Sequence, residues 1–327
     1  MKFKYRRYFF TWTPARFLVN RAREIRFRRW NNVSLYTIIK LFIKNLTENE
    51  IIGRANSVAF NFTLAIFPAI IFLFTLIPYV SLIVPEVNAE NIMVFLQQMM
   101  PPSMYEVVDS TIEDIVSNQR GGLLTFGFLF SLYLSTNGMM ALMSAFNAVY
   151  KTDDRRGPIK MRLIATGLTV NLAVVLFLAI ILLVVGQLVL DYLMSHLNEF
   201  KWLTDVNVWL LLLLRFAVIF IVFFLAVSTI YYFGPAIHYN WRFFSIGSLL
   251  ATIFILAISY GFSYYVTHFG TYNKVYGSIG VLIALMIWIQ LITIVLLVGY
   301  ELNASIHDAA RMQALWHGKR FKKNDPA

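Results

Sequence analysis

The chain of 327 residues is 59% hydrophobic and only 14% charged, with a formal net charge of +11. This composition excludes a soluble globular protein, because so few charged side chains could not cover the surface of a globule. The sequence contains no cysteine, which excludes a disulfide framework, thiolate catalysis and a cysteine-based metal site.

The first 33 residues form a basic segment in which ten lysine and arginine residues lie among aromatic side chains. We interpret this segment as a flexible flank that helps to orient the protein in a membrane; contact with lipid headgroups or RNA is the alternative. Ser34 then predicts the N-cap of a helix. The apolar residues of that helix recur every three or four positions, while Lys40 and Lys44 lie off their face, as in a basic amphipathic helix at a membrane interface.

Six long apolar runs follow, and they contain a single charged residue, Arg215. Each run exceeds the roughly 20 residues that a helix needs to cross about 30 Å of hydrocarbon. Only a helix satisfies the backbone of such a run within lipid, since the strands of a membrane barrel would alternate. The sequence therefore predicts an all-α fold, a polytopic membrane helix bundle with six transmembrane helices. The predicted spans are about 55–84, 122–150, 163–190, 207–233, 243–267 and 278–300.

The segment between the first two spans, residues 86–120, is acidic and contains two helix signals. Ser103 and Glu106 form a capping box, and Asn88 precedes apolar residues at helical spacing. We predict short extracytoplasmic helices here that lie on the outer membrane surface or cap the bundle.

The charged residues are sorted between alternate segments. When the segments that separate the spans are numbered alternately from the N-terminus, one set carries 24 of the 28 lysine and arginine residues. The other set carries Arg120, Lys201 and Lys274 together with nine of the 17 acidic residues. Because positive residues near span ends stay on the cytoplasmic side, both termini are predicted to be cytoplasmic. The basic face is expected to attract anionic lipid headgroups, so we expect membrane lipids and no specific nucleic acid as partners.

These elements divide the chain into a basic segment over residues 1–33, a membrane domain over 34–305 and a basic cytoplasmic tail over 306–327. Two sets of three spans would have opposite orientations, as in inverted-repeat transporters, although the two halves share no clear residue similarity. The pattern does not determine an oligomeric state.

Arg215 is the main candidate for a binding residue. It lies about eight residues, or roughly 12 Å, into the fourth span from the outside, and a charge at this depth predicts a functional site. Its guanidinium suits an anionic group such as a lipid phosphate, and Gln187 near the outer end of the third span could orient it. The alternative is an arginine that extends outward to water or bonds a helix carbonyl.

Further polar residues and two prolines lie within the spans. The candidates to line a polar cavity with Arg215 are Asn56, Asn61, Asn137 and Asn147. Separate hydrogen bonds between helices would explain these asparagines equally well. Pro68 and Pro78 in the first span each remove a backbone donor, which favours a kink.

Glu301 and Asn303 lie where the last span meets the cytoplasm. One hypothesis is a gate or a proton-coupled carboxylate at this position. The other is a helix-end clasp in which Glu301 pairs with Arg54 or Arg162. We favour the clasp, because charges at the interface are less exceptional than buried ones.

Three blocks of sequence stand out together: residues 54–68 (RANSVAFNFTLAIFP), residues 145–150 (AFNAVY) before a basic loop, and residues 276–304, which begin YGSIG and end GYELNA. Their order and the six-span layout, over roughly residues 35–305, resemble the YihY/virulence factor BrkB family. The resemblance implies a multi-pass protein of the bacterial inner membrane that is similar to transporters in layout and is linked to serum resistance.

We therefore predict a transporter or lipid translocator with a site between helices for an anionic or amphipathic substrate. The alternative is a non-transporting scaffold in envelope assembly. Members of the family have been described as ribonucleases, but that chemistry needs a metal-binding cluster or a histidine acid–base pair. The basic face offers only scattered carboxylates and histidines. We predict no enzymatic activity, no catalytic residue, no metal and no cofactor.

Overall fold

The computed structural model describes residues 13–27, 30, 32–82, 90, 93–94, 112–115, 117–149, 155–195, 205–236, 243–268 and 278–323. The elements in chain order are α1 (Thr13–Glu24), β1 (Arg26–Phe27), β2 (Val33–Ser34), α2 (Leu35–Glu48), α3 (Ile51–Val80), α4 (Gly121–Val149), α5 (Pro158–Ser195), α6 (Asp205–Phe233), α7 (Ile246–His268) and α8 (Ser278–Lys323). The extracytoplasmic helices predicted within residues 86–120 lie largely outside the described residues.

Helices α3 to α8 are each long and apolar enough to cross a membrane, which confirms the six predicted spans and the all-α fold. Two of these helices extend well beyond the predicted spans. Helix α5 begins at Pro158, and α8 continues without a break to Lys323, through most of the predicted tail. Hydropathy detects only the part of a helix that lipid would surround, so polar extensions of the same helix escape it.

The six long helices close into a ring. Each packs against its neighbours in sequence, and α8 also packs against α3. Large apolar side chains lie on the outside of the ring; Phe126, Phe177 and Tyr260 are 61%, 64% and 78% exposed. Such a surface suits a solvent of lipid tails, which are as apolar as these side chains.

The buried core lies towards the end of the ring at which α3, α5 and α7 begin, which we call the basic end. Three aromatic side chains form its centre. Phe146 stacks on Tyr300 with ring centroids 4.2 Å apart, and Tyr231 meets both rings edge-on. The Tyr231 hydroxyl donates to the Leu296 carbonyl at 2.6 Å, so its polar end is satisfied within the core.

A small platform of α1, the β1–β2 hairpin and α2 covers the basic end. Val33 and Ile38 are buried against Ile306 and Ala309 of α8, and Trp30 packs on this cluster. Ser34 caps α2 as predicted, because its hydroxyl accepts from the Thr37 amide. In the described part of this segment, Phe27, Trp30 and Val33 pack against α2 and α8, whereas Phe17 and Ile25 are exposed. The flexible flank stays a prediction.

Candidate functional site

Buried polar residues concentrate on α8 at the basic end, immediately after Gly299. These residues are Glu301, Asn303 and Ser305, of which Glu301 and Ser305 have no exposed surface. Glu301 and Asn303 belong to the block that ends GYELNA, Ser305 follows it directly, and the three residues face α2 and α7. A buried polar group is costly without partners, so the contacts of these side chains decide what the site can do.

Glu301 is bonded to the platform by an amide. The Nδ2 atom of Asn49, at the end of α2, donates to Glu301 Oε2 at 2.9 Å. The Asn49 carbonyl in turn accepts from Arg54 Nε at 2.8 Å. Within the described part of the chain Oε1 of Glu301 has no hydrogen-bond partner.

The expected ion pair of Glu301 does not form. Neither Arg54 nor Arg162 makes a salt bridge to it among the described residues. The reason is the turn between α2 and α3, where the left-handed Glu50 places Asn49 between the carboxyl group and Arg54. Arg54 therefore reaches Glu301 only through the backbone of Asn49.

Asn303 joins α8 to the beginning of α7. Its Oδ1 accepts from the Gly247 amide at 2.8 Å, and its Nδ2 donates to Ser245 Oγ at 2.8 Å. The first amides of a helix have no partner within the helix, so Asn303 satisfies one of them from a neighbouring helix. This contact requires a close crossing, which Gly247 and Gly299 permit because a Cβ on either would overlap the other's carbonyl oxygen.

The hydrogen bonds of the four predicted asparagines lead to four different partners. Asn56 Oδ1 accepts from Gln290 Nε2 at 2.7 Å, which joins α3 to α8. Asn61 donates to the carbonyl of Ser57 on its own helix. The remaining two bonds link Asn137 to Arg162 and Asn147 to the Ala236 amide. These are contacts within and between helices, and the polar cavity with Arg215 stays a prediction.

Arg215 lies half-buried in α6, ten residues after Asp205, which corresponds to about 15 Å of helix. Gln187 lies in α5, which packs against α6, but the side chain of Gln187 is outside the described part of the structure. Pro68 and Pro78 are buried within α3, which continues through both without ending. The predicted kinks stay predictions.

Arg162 contacts α4 and not Glu301, the partner that the sequence predicted for it. Its Nη1 donates to Asn137 Oδ1 at 2.5 Å and approaches Met140 Sδ at 3.1 Å, both on α4. Its Cζ lies 4.3 Å from the centre of the Tyr133 ring. Arg162 directly precedes the third predicted span, and its contacts with α4 were not predicted. The only sequence signal was its position one residue from the apolar run, which leaves its long side chain free to reach back along the neighbouring helix.

A groove of about 420 Å³ opens beside Arg162 between α4 and α5. Its lining residues are Met140, Pro158, Ile159, Arg162 and Leu163. The lining is apolar except for the guanidinium group. Such a groove can hold a molecule that combines an apolar portion with a negative charge.

The basic end also contains a clamp on the last turn of α6. Arg156 Nη2 donates to the Gly234 carbonyl at 3.0 Å, and Asn147 bonds the Ala236 amide two residues later. Positive side chains satisfy the free carbonyls at a helix C-terminus. In the ranges that the structure describes, no three His, Asp or Glu side chains form a group that could hold a metal ion.

Comparison with known proteins identifies relatives among bacterial membrane proteins. Residues 42–322 match the family described as virulence factor BrkB. The chain is 30% identical over 277 residues to the ribonuclease-like protein YfkH of Bacillus subtilis (strain 168), a match that covers 84% of this chain and 97% of that protein.

Two further relatives are named UPF0761 membrane proteins. RSc1559 of Ralstonia nicotianae is 23% identical over 294 residues, which cover 90% of this chain and 64% of that protein. MS0032 of Mannheimia succiniciproducens is 23% identical over 288 residues, which cover 86% and 93%. No solved structure matches the chain significantly.

Proposed function

The chain belongs to the virulence factor BrkB family, and from that membership and the arrangement of its charges we propose that it is a transporter or lipid translocator for an anionic, amphipathic substrate. Arg215 carries this proposal, because it lies half-buried in one of the six helices that can cross the membrane. Charged residues within such helices mark substrate or ion pathways. A guanidinium offers parallel N–H donors to two phosphate oxygens at once.

We propose further that the basic end faces the cytoplasm and that the membrane is the bacterial inner membrane. The distribution of lysine and arginine supports this orientation. Both termini are then cytoplasmic. The platform of α1, the hairpin and α2 lies against the inner leaflet, where Lys40 and Lys44 meet anionic headgroups.

A non-transporting scaffold is the second candidate, and a specific observation favours it. Hydrogen bonds join neighbouring segments of the chain at Asn56, Asn147 and Asn303. A protein that needs a rigid bundle to present its platform would use its polar residues in this way. The two candidates differ in whether lipid crosses the membrane through the protein.

The proposed activity is transport and not catalysis. The relative YfkH carries the name ribonuclease-like, and ribonuclease chemistry depends on a metal cluster or on a histidine pair. The site around Arg215 offers instead a fixed positive charge beside apolar helices, which suits binding an amphiphile without altering it.

Reconstitution in liposomes tests the proposal. The purified chain is inserted into vesicles that contain a fluorescent phosphatidylglycerol, and the fraction of label reached by an external quencher is followed with time. Wild-type protein is expected to move label between leaflets. Replacing Arg215 with alanine should slow this by about tenfold or more, because a charge-assisted hydrogen bond contributes roughly 1.5–3 kcal/mol, while Arg215→Lys should retain part of the rate.

Arg120→Ala is the matched control, since it removes an exposed arginine that forms an ion pair with Asp114. Its rate should equal that of the wild type. Movement no faster than in protein-free vesicles would refute transport and favour the scaffold. Full activity of Arg215→Ala would show that the substrate site lies elsewhere.

A further inference from the structure

Arg162 is a cation held in place by neutral groups. The side-chain oxygen Oδ1 of Asn137 and the sulfur of Met140 hold Nη1 in place, and the Tyr133 ring lies beside the guanidinium group. Arg162 takes part in none of the ion pairs that the described residues form. The positive charge is therefore positioned by the protein but is not neutralised by it.

The contacts leave one edge of the guanidinium unused. A guanidinium has five N–H donors, and both hydrogen bonds of Arg162 involve Nη1. Nε and Nη2 bond no other residue in the described part of the chain. These two atoms form the planar fork that binds two oxygens of a phosphate or carboxylate side by side.

The guanidinium lies along α4 and points away from the basic end. Its contacts lie between Tyr133 and Met140, which are about 24 Å and 14 Å of helix from the end of α4 at Val149. If the side chain of Arg162 extended to the aqueous interface, it would point in the opposite direction, towards Pro158 at the beginning of α5. An exposed charge at this depth in a membrane is costly unless an anion accompanies it.

We infer that the groove beside Arg162 binds an anionic glycerophospholipid from the leaflet at the basic end, with the lipid phosphate on the free guanidinium edge and an acyl chain against Ile159 and Leu163. The charge is complementary to the phosphate, and the groove volume of about 420 Å³ accommodates the headgroup and the first part of a chain. Ile159 and Leu163 are 77% and 68% exposed and lie one helical turn apart, so they form a continuous apolar strip beside the charge.

The apolar strip selects a lipid over free phosphate. A dissolved phosphate ion would gain only the guanidinium contact, whereas a lipid also covers Ile159, Leu163 and Met140. Arg155 is exposed nearby and favours a lipid with net negative charge. This site is independent of translocation, because a lipid bound at Arg162 requires only that the protein lies in a membrane.

Native mass spectrometry of the full chain in detergent tests the inference. The protein is titrated with phosphatidylglycerol, with phosphatidylcholine and with inorganic phosphate. Wild-type protein is expected to retain phosphatidylglycerol, at least about tenfold more tightly than Arg162→Ala, because that variant loses a charge-assisted contact of roughly 1.5–3 kcal/mol. Arg162→Lys should fall between the two, since it keeps the charge but loses the fork. Phosphatidylcholine should bind more weakly, and inorganic phosphate should not compete at equal concentration.

Two matched pairs of variants keep the test independent of folding. Lys160→Ala removes an exposed cation that does not line the groove and should change binding less than about twofold. At the exposed position 159, Ile159→Glu should weaken phosphatidylglycerol binding by charge repulsion, while Ile159→Gln should not do so to the same extent. Equal lipid binding by wild type, Arg162→Ala and Ile159→Glu would overturn the inference. Effective competition by inorganic phosphate would also overturn it and would show a free-anion site, and neither result bears on transport through Arg215.

Discussion

Glu301 has no exposed surface, and the neutral amide of Asn49 donates a hydrogen bond to its Oε2 atom. Two roles fit this geometry. As a clasp, the side chain would hold α8 to the end of α2 through its Oε2 atom. As a gate, it would gain and lose the proton of its carboxyl group. Oε1 has no hydrogen-bond partner among the described residues and is the oxygen available to carry that proton. Both roles stay predictions, and substitution separates them.

Glu301→Gln is expected to leave stability almost unchanged, because glutamine keeps an oxygen that accepts from Asn49. Glu301→Ala should lower the free energy of unfolding by about 2–4 kcal/mol, since it leaves the Asn49 amide unpaired and opens a cavity. Thermal unfolding in detergent measures both changes. Glu48→Gln, at an exposed position of α2, is the control and should have little effect.

The liposome assay on the same variants decides between the two roles. A clasp predicts that Glu301→Gln retains the wild-type rate of lipid movement. A stable Glu301→Gln protein that moves no lipid would contradict a purely structural role and support the gate.

At the scale of elements, α7 and α8 cross closely at two glycines. Gly247 and Gly299 meet there backbone to backbone, and a Cβ on Gly299 would also come within 2.6 Å of the Tyr231 hydroxyl. Small residues let membrane helices approach closely enough for hydrogen bonds across the contact. Here that approach brings Asn303 to the first amides of α7, so the glycine crossing and the polar contact depend on each other.

Gly247→Ala is therefore expected to destabilise the protein by about 1–3 kcal/mol or more, because the methyl group would overlap a backbone oxygen that cannot move aside. Gly261 lies on the same helix and has nothing within 4 Å of an added Cβ. Gly261→Ala should thus be neutral or should stabilise by up to about 1 kcal/mol through helix propensity. The melting temperatures of the two variants measure these changes. Equal melting temperatures would contradict a close backbone contact between Gly247 and Gly299.

At the scale of the whole molecule, the ring of six helices has one end rich in lysine and arginine and one end with a surplus of acidic residues. Buried contacts tie the platform to the basic end, where α8 extends far beyond its apolar part. An even number of spans places both ends of the chain on the same side. The charge distribution predicts that this side is the cytoplasm.

Because the natural chain has no cysteine, single cysteines report this orientation directly. Glu48→Cys lies on the platform and Asn118→Cys lies before α4 at the opposite end, and both positions are exposed. In spheroplasts, a maleimide that cannot cross membranes should label Asn118→Cys at once and Glu48→Cys only after permeabilisation. The reverse order of labelling would invert the proposed orientation.

In several places a predicted span and the observed helix begin or end within about one residue of each other. Helix α4 begins at Gly121 and α6 ends at Phe233, each within one residue of the predicted boundary. Side-chain partners could not be predicted in this way. Arg162 bonds Asn137 and not Glu301, and the ion pair expected for Glu301 is replaced by an amide contact with Asn49.

The sequence by itself determined that this protein crosses a membrane six times and that its charges lie unequally at the two ends. These properties follow from local composition, because the transfer of each segment into lipid depends on its own residues. Only the tertiary structure decided which polar groups meet. The long side chain of Arg162 contacts a neighbouring helix. Which residue it meets there depends on how the helices are rotated and how closely they pack. That is why the Arg162 groove and the contacts of Glu301 became visible only in the folded ring.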